Sequence, residues 1–313
     1  MKGLTDIPGI LVGHASDYDG LTGCTVILCE RGAVAGGEIR GFATGTAEWD
    51  LLSPQHVTER IHAVVFAGGS AFGLEAAAGV RRFLAHKGIG VTDIPVPLVV
   101  SAILYDLAFA KASAHPTREM GEAAAAAATD KAVGEGAIGA GTGATVGKIL
   151  GMKGAMKSGI GTFTVTLDSG VMVSALAVVN AMGDVIDPAT AKIIAGARTP
   201  NGEFANSAKI MKSGSGQTLV RQNTTLVVVA TNAALTKVDA NRLAHVAQLG
   251  MARTINPVNT TSDGDLVIAL SIGTGKAAID ALGVAASEAV AESILRAVRL
   301  APTLGGVPGL RKI

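Results

Sequence analysis

The sequence predicts one layered α/β domain, with sheets inside and helices outside. Three observations carry this. The strand-like runs are continuously apolar, as expected of strands covered on both faces. Hydrophobic residues make up 49% of the chain against 16% charged, and the interior they allow is aliphatic, because aromatics are only 3%. No linker or short-period repeat divides the 313 residues, so 1–313 reads as a single domain.

The elements follow in order. "CTVIL" (Cys24–Leu28) and "HAVVFAGG" (His62–Gly69) read as strands. The second leads into a helix over Ser70–Gly88, which has Arg81, Arg82 and Lys87 near its C-terminal end and a glycine stop. Pro97–Leu107 is a strand or buried segment, and the alanine-rich Thr117–Gly136 predicts a second helix. A glycine-rich stretch, Gly136–Gly161, precedes strand signals at Gly161–Leu167 and Val171–Ile186. Asp187–Arg221 reads as a helix plus an exposed loop. Thr225–Asn232 is a strand, Thr236–Ile255 a helix, Asp265–Gly273 a strand, and Ala277–Ala301 a closing helix pair or one long helix.

Several function classes fall away. A net charge of +1 without a basic run lacks the electrostatic footprint of a nucleic-acid binder. No apolar stretch reaches the roughly 18–20 residues that span a membrane. The N-terminal Met1–Asp6 lacks an apolar signal core, which makes the cytoplasm the expected compartment. Cys24 and Cys29 stand at an odd spacing, on opposite faces of a strand, so neither a shared metal nor a mutual disulfide is expected. The six histidines form no metal-ligand pair at helical spacing. A chain this apolar is expected to cover surface by forming a homo-oligomer.

Four local motifs invite chemistry. "GTGATVGK" (Gly141–Lys148) resembles a phosphate loop but has Thr142 and Ile149 where a Walker loop needs glycine and a hydroxyl. Lys148 then reads either as a charge delivered to a concave backbone site or as a surface lysine after a turn. "GGSAFG" (Gly68–Gly73) has the setting of a serine elbow with the wrong glycine spacing, so Ser70 reads better as a helix N-cap. In "TTSDGDLVIAL" (Thr260–Leu270), Asp263 and Asp265 flank Gly264, as turn chemistry or as an acid pair that orients a threonine and holds an amine. "RQNTTLVVVATNA" (Arg221–Ala233) sets a polar Asn-Thr-Thr at the head of a core strand. Either a turn ends there, or the chain is cut so that a threonine becomes an N-terminus.

Taken together, "DIPGILVGHASD" (Asp6–Asp17), "TGCTVIL" (Thr22–Leu28), "GGSAFGLEAA" (Gly68–Ala77), "GAGTGATVGK" (Gly139–Lys148), "VNAMGDVIDP" (Val179–Pro188) and "NTTLVVVATNA" resemble the DmpA-type self-processing peptidase family. That family includes L-aminopeptidase D-amidase/D-esterases, β-peptidyl aminopeptidases and nylon-oligomer hydrolases. The resemblance implies a four-layer αββα sandwich, similar to N-terminal-nucleophile hydrolases but differently connected. It implies a cut between Asn223 and Thr224, giving chains 1–223 and 224–313 with Thr224 as nucleophile. It also implies Asn180 as oxyanion donor, Lys148 as the lysine of the nylon-hydrolase branch, Tyr105 beside the substrate, and Asp263 and Asp265 orienting Thr224 and its amine. The aminopeptidase branch commonly cuts Gly-Ser and carries Ser-x-Glu. This chain has Asn-Thr and Asp-Gly-Asp, as the nylon-oligomer branch does. The function so implied is amide hydrolysis of small peptides, amino-acid amides or amide oligomers through an acyl-enzyme, without metal or organic cofactor, in a tetramer of processed heterodimers. Two alternatives stand beside it: an acyltransferase of the ornithine-acetyltransferase type, and a non-enzymatic scaffold with an uncut loop.

Overall fold

The structure, a computed structural model, describes residues 2–91, 94–215 and 223–312. In chain order it contains β1 (Leu11–Asp17), β2 (Thr22–Ile39), β3 (Thr46–Ala47), β4 (Arg60–Ala67), α1 (Ala76–His86), β5 (Val99–Ile103), α2 (Arg118–Ala126), β6 (Thr145–Val146) and β7 (Met156–Lys157). It continues with β8 (Ile160–Thr166), β9 (Met172–Asn180), β10 (Asp184–Asp187), β11 (Lys192–Ala195), α3 (Ser207–Ser213), β12 (Thr224–Ala233), α4 (Lys237–Thr254), β13 (Ile255–Asn256), β14 (Leu266–Gly275) and α5 (Ile279–Arg299).

One ladder runs β3-β5-β4-β2-β14-β12-β9-β8, with β1 also on β2. The long β2 makes this ladder two sheets. Its first half, Cys24–Leu28, lies between β1 and β4. After a register shift its second half, Val34–Ile39, pairs with β14.

The period-two alternation of strand side chains then sorts the interior into three cores. Leu226, Val228 and Ala230 of β12, with Leu266, Ile268 and Leu270 of β14, face Ile27, Val64 and Phe66 across the gap between the sheets. The alternate residues Val227, Val229, Val267 and Ala269 pack outward on Leu243 and Ala247 of α4 and on Leu282, Val290 and Ile294 of α5. On the far side, Val26, Leu28, Ala63 and Val65 pack on Val80 and Leu84 of α1 and Ala124 of α2. The layers are therefore helix, sheet, sheet, helix, the αββα arrangement the resemblance implies. Replacing Val228 and Val229 together with alanine opens two different cores. The expected cost is about 2 kcal/mol per site, read as a lowered midpoint in chemical denaturation.

Several boundaries differ from the sequence reading. The helix predicted over Thr117–Gly136 ends after Ala126, because both backbone groups of Thr129 pair with Val12 at the edge of β1, at 2.9 and 3.1 Å. The run Val171–Ile186 splits into β9 and β10 around residues 181–183. Ser70 is not an N-cap. Gly69 holds that position, Ser70 takes a positive φ of 54°, and the segment starts as a 3-10 turn before α1. The segment Asp187–Arg221 contributes β11 and α3, and its residues 216–221 lie outside the described residues. The closing segment is one helix, α5. Cys24 and Cys29 face different cores as expected, and burial pushes both thiols up to about 12.

Candidate active site

β12 begins at Thr224 in the middle of the second sheet, and its register sets Thr224 directly opposite Asn180, the last residue of β9. The preceding Asn223 bridges in parallel to Asp263, just ahead of β14. Thr224 is 3% exposed, and its strand continues into fully buried Leu226–Val229. This packing gives the hydroxyl a fixed position, which a threonine in an ordinary loop would lack.

The Thr224 hydroxyl donates to the carbonyl oxygen of Asn223 at 2.5 Å. The same oxygen accepts the Gly264 N–H at 2.8 Å. The amide bond joining the two residues is thus flanked by a hydroxyl and polarised by a backbone donor. Gly264 has to be glycine for this approach, because a Cβ there would lie 2.8 Å from Thr224 Oγ1 and 2.9 Å from the Ala43 carbonyl oxygen. Among the described residues, neither the Oδ1 nor the Nδ2 atom of the buried Asn223 carboxamide has a hydrogen-bond partner.

Lys148 reaches the site from the glycine-rich segment and is 4% exposed, so the surface reading of this lysine is excluded. Its ammonium donates to Asn180 at the backbone oxygen (2.9 Å) and at Oδ1 (2.8 Å). Burial lowers its pKa to about 7, against the opposing pull of Asp263, Asp106 and Asp265. Asn180 Oδ1 also accepts the Thr145 N–H at 3.1 Å, and Asn180 Nδ2 donates to the Tyr105 carbonyl at 2.9 Å. Gly264 N–H thus joins the Thr224 hydroxyl on the Asn223 carbonyl, while Asn180 accepts from Lys148 and ties β9 to Tyr105. Tyr105 enters this network through its backbone carbonyl, and its side chain is half-buried.

The two aspartates are buried and work on backbone. Asp265 accepts Thr225 N–H at 2.6 Å and Asn259 N–H at 2.9 Å, fixing the residue after Thr224. Asp263 takes the Thr260 N–H (2.9 Å) and hydroxyl (2.6 Å) on one oxygen. Burial raises both pKa values, and the Asp263 charge raises that of Asp265 further. The loop after β2 closes one side, with Gly41 N–H on the Asp265 carbonyl and Ala43 N–H on the Asp263 carbonyl.

The structure thus gathers Thr224, Asn223, Lys148, Asn180, Asp263, Asp265 and the Tyr105 backbone. Three participants escaped the sequence reading. Gly264 looked like turn chemistry. Asp106, buried and accepting Thr22 Oγ1 and Gly69 N–H at 2.7 Å each, sat inside a predicted apolar segment. Lys157 sat among glycines and lysines as an apparent loop residue. Among the described residues, no group of three or more His, Cys, Asp or Glu side chains is placed to hold a metal ion, and no helix is long and apolar enough to cross a membrane.

Two sheets packed face to face between helices, holding a hydroxyl against an amide carbonyl, define a hydrolase of peptide or amide bonds with an N-terminal-nucleophile-hydrolase type of fold. The sequence profile of peptidase family S58 matches residues 2–311, and the chain belongs to that family. It is 38% identical to an uncharacterized aminopeptidase of Mycobacterium leprae, over 98% of this chain and 93% of that one. It is 29% identical to a 6-aminohexanoate-oligomer endohydrolase of a Kocuria species, over 94% of this chain and 85% of that one. The solved L-aminopeptidase D-Ala-esterase/amidase of Ochrobactrum anthropi, described as a variant of the Ntn hydrolase fold, superposes with a TM-score of 0.75 at 20% identity, covering 98% of this chain and 88% of that one.

Proposed function

We propose that this chain is a self-processing amide hydrolase that uses Thr224 first to cut its own backbone and then to attack substrate. The observation that carries this reading is the pair of contacts on one oxygen, Thr224 Oγ1 and Gly264 N–H on the Asn223 carbonyl. In the uncut chain, Lys148 is the base near neutrality, since burial has brought its pKa to about 7 and it sits on the residue opposite Thr224. It takes the hydroxyl proton, Oγ bonds to the Asn223 carbonyl carbon, and Gly264 N–H stabilises the oxyanion. The C–N bond then breaks as the amine nitrogen gains a proton, leaving an ester. Water hydrolyses that ester to the Asn223 carboxylic acid and the free Thr224 hydroxyl.

The released α-amine of Thr224, with an ordinary pKa of about 7.7–8.0, becomes a base carried by the nucleophile itself. Lys148 keeps it unprotonated through like-charge repulsion, and Asp263 and Asp265 orient it. Substrates are small peptides, amino-acid amides or amide oligomers. Exposed Leu249 and Val284 on the outer helix layer support work as a homo-oligomer.

Intact-mass measurement of purified protein tests this reading. The 31.3 kDa chain is expected to resolve into pieces of about 22 and 9 kDa, the smaller corresponding to 90 of 313 residues and beginning at Thr224. A mass that stays whole in active enzyme overturns the self-processing step.

A further inference from the structure

A second lysine lies behind the site, and neither the processing step nor the hydrolytic step uses it. Lys157 is fully buried on β7, and its side chain ends among backbone carbonyls: Nζ donates to Gly141 (3.0 Å), Ala144 (2.6 Å) and Ser158 (2.6 Å). The Phe109 ring lies over the same nitrogen, 5.8 Å from its centroid. Two of those carbonyls belong to the glycine-rich segment just before β6. That segment has few side chains to anchor it, yet it must present Thr145 N–H to Asn180 Oδ1 and deliver Lys148 four residues after Ala144. The pairing Thr145↔Lys157 holds the two short strands in register.

We propose that Lys157 is a positioning residue: its ammonium gathers the 141–144 carbonyls, sets Lys148 on Asn180, and with Asp106 fixes the charge that Lys148 experiences. This rests on the Lys148 role assigned above. Burial lowers the pKa of Lys157 to about 7, Asp106 pulls it back up, and Lys148 pushes it down, so the two lysines sense one another. The carboxylates facing Lys148 are Asp263, Asp265 and Asp106, joined by Lys157 through the reciprocity of a Coulomb pair, and the groups facing Lys157 are Asp106 and Lys148. Asp106 is itself fixed by Thr22 and Gly69 and follows Tyr105, whose carbonyl holds Asn180. The two lysines and their carboxylates thus form one electrostatic unit spanning both sheets.

The test is the pH dependence of processing after cell-free synthesis for wild type, Lys157→Met, Lys157→Arg and Asp106→Asn, followed by intact mass. Removing the cation at 157 raises the pKa of Lys148, the base of the processing step, so in Lys157→Met the acid limb moves up by roughly half a pH unit or more. In the same variant the plateau rate of processing falls about tenfold. Asp106→Asn removes an anion and moves the limb down. Lys157→Arg stays fully charged through the whole limb, so the limb stays or moves down, even where the bulkier group slows the reaction. If Lys157→Met cannot be recovered folded, the other two variants decide. A limb that stays fixed in Asp106→Asn, or moves up in Lys157→Arg, overturns the proposal, as does a Lys157→Met that only lowers the denaturation midpoint. If wild type never cuts yet turns over an aminoacyl p-nitroanilide, self-processing is refuted, and the same limb shifts read in kcat, where Lys148 is then the base, decide the positioning role.

Discussion

Thr224→Ala is expected to remain a single chain of 31.3 kDa and to lose amide hydrolysis by roughly a million-fold, the scale of nucleophile removal in other hydrolases. The substitution removes the hydroxyl that lies on the Asn223 carbonyl and changes little else, since the β12 core begins two residues later at Leu226. Folding should survive. Thr224→Ser keeps the hydroxyl and should still cut. Gel electrophoresis under denaturing conditions and turnover of an amide substrate read the two effects separately. Thr224→Ala chains that cut normally would place the nucleophile elsewhere.

Lys148→Met should have the second largest effect, slowing processing by about 100- to 10,000-fold, the range of general-base removal. The pH dependence supplies its signature. Burial brings the Lys148 pKa down from 10.5 to about 7, so the neutral amine, the form able to accept a proton, grows in as pH rises through that value. Wild-type processing after cell-free synthesis should therefore accelerate between pH ~6 and ~8. Lys148→Met should be slow throughout, with that acid limb gone. A variant that is slow but retains the limb would assign the proton transfer to another group.

Much of the architecture could be read from residue patterns because the apolar runs are long and period-two sorting is unambiguous. β4, β12, β14 and α4 fall close to where the sequence puts them. β2 is the instructive failure. Only Cys24–Leu28 looked like strand, because Gly32, Gly36 and Gly37 carry no β signal. Gly36 is there for packing: a Cβ would lie 2.3 Å from the Asn241 backbone nitrogen, so α4 crosses this strand at backbone distance. Thr117–Gly136 failed the other way, since alanine propensity cannot foresee that Thr129 is claimed by Val12. At the site, the residues named by motif converge, but their partners do not follow from the motifs. Asn180 has donors and acceptors that sequence cannot apportion. A buried lysine such as Lys157 reads like a surface one until the carbonyls around it are placed.

β12 lies inside its sheet, with β9 on one side and β14 on the other. If the backbone opens at Thr224, β9 stays with one polypeptide while β12 and β14 go with the other, and only hydrogen bonds and packing join them. Heat or denaturant then dissociates a complex instead of merely uncoiling a chain. Its reversal becomes a bimolecular encounter, slower on dilution, so the mature protein is expected to owe its persistence to a slow escape rate more than to ready renaturation.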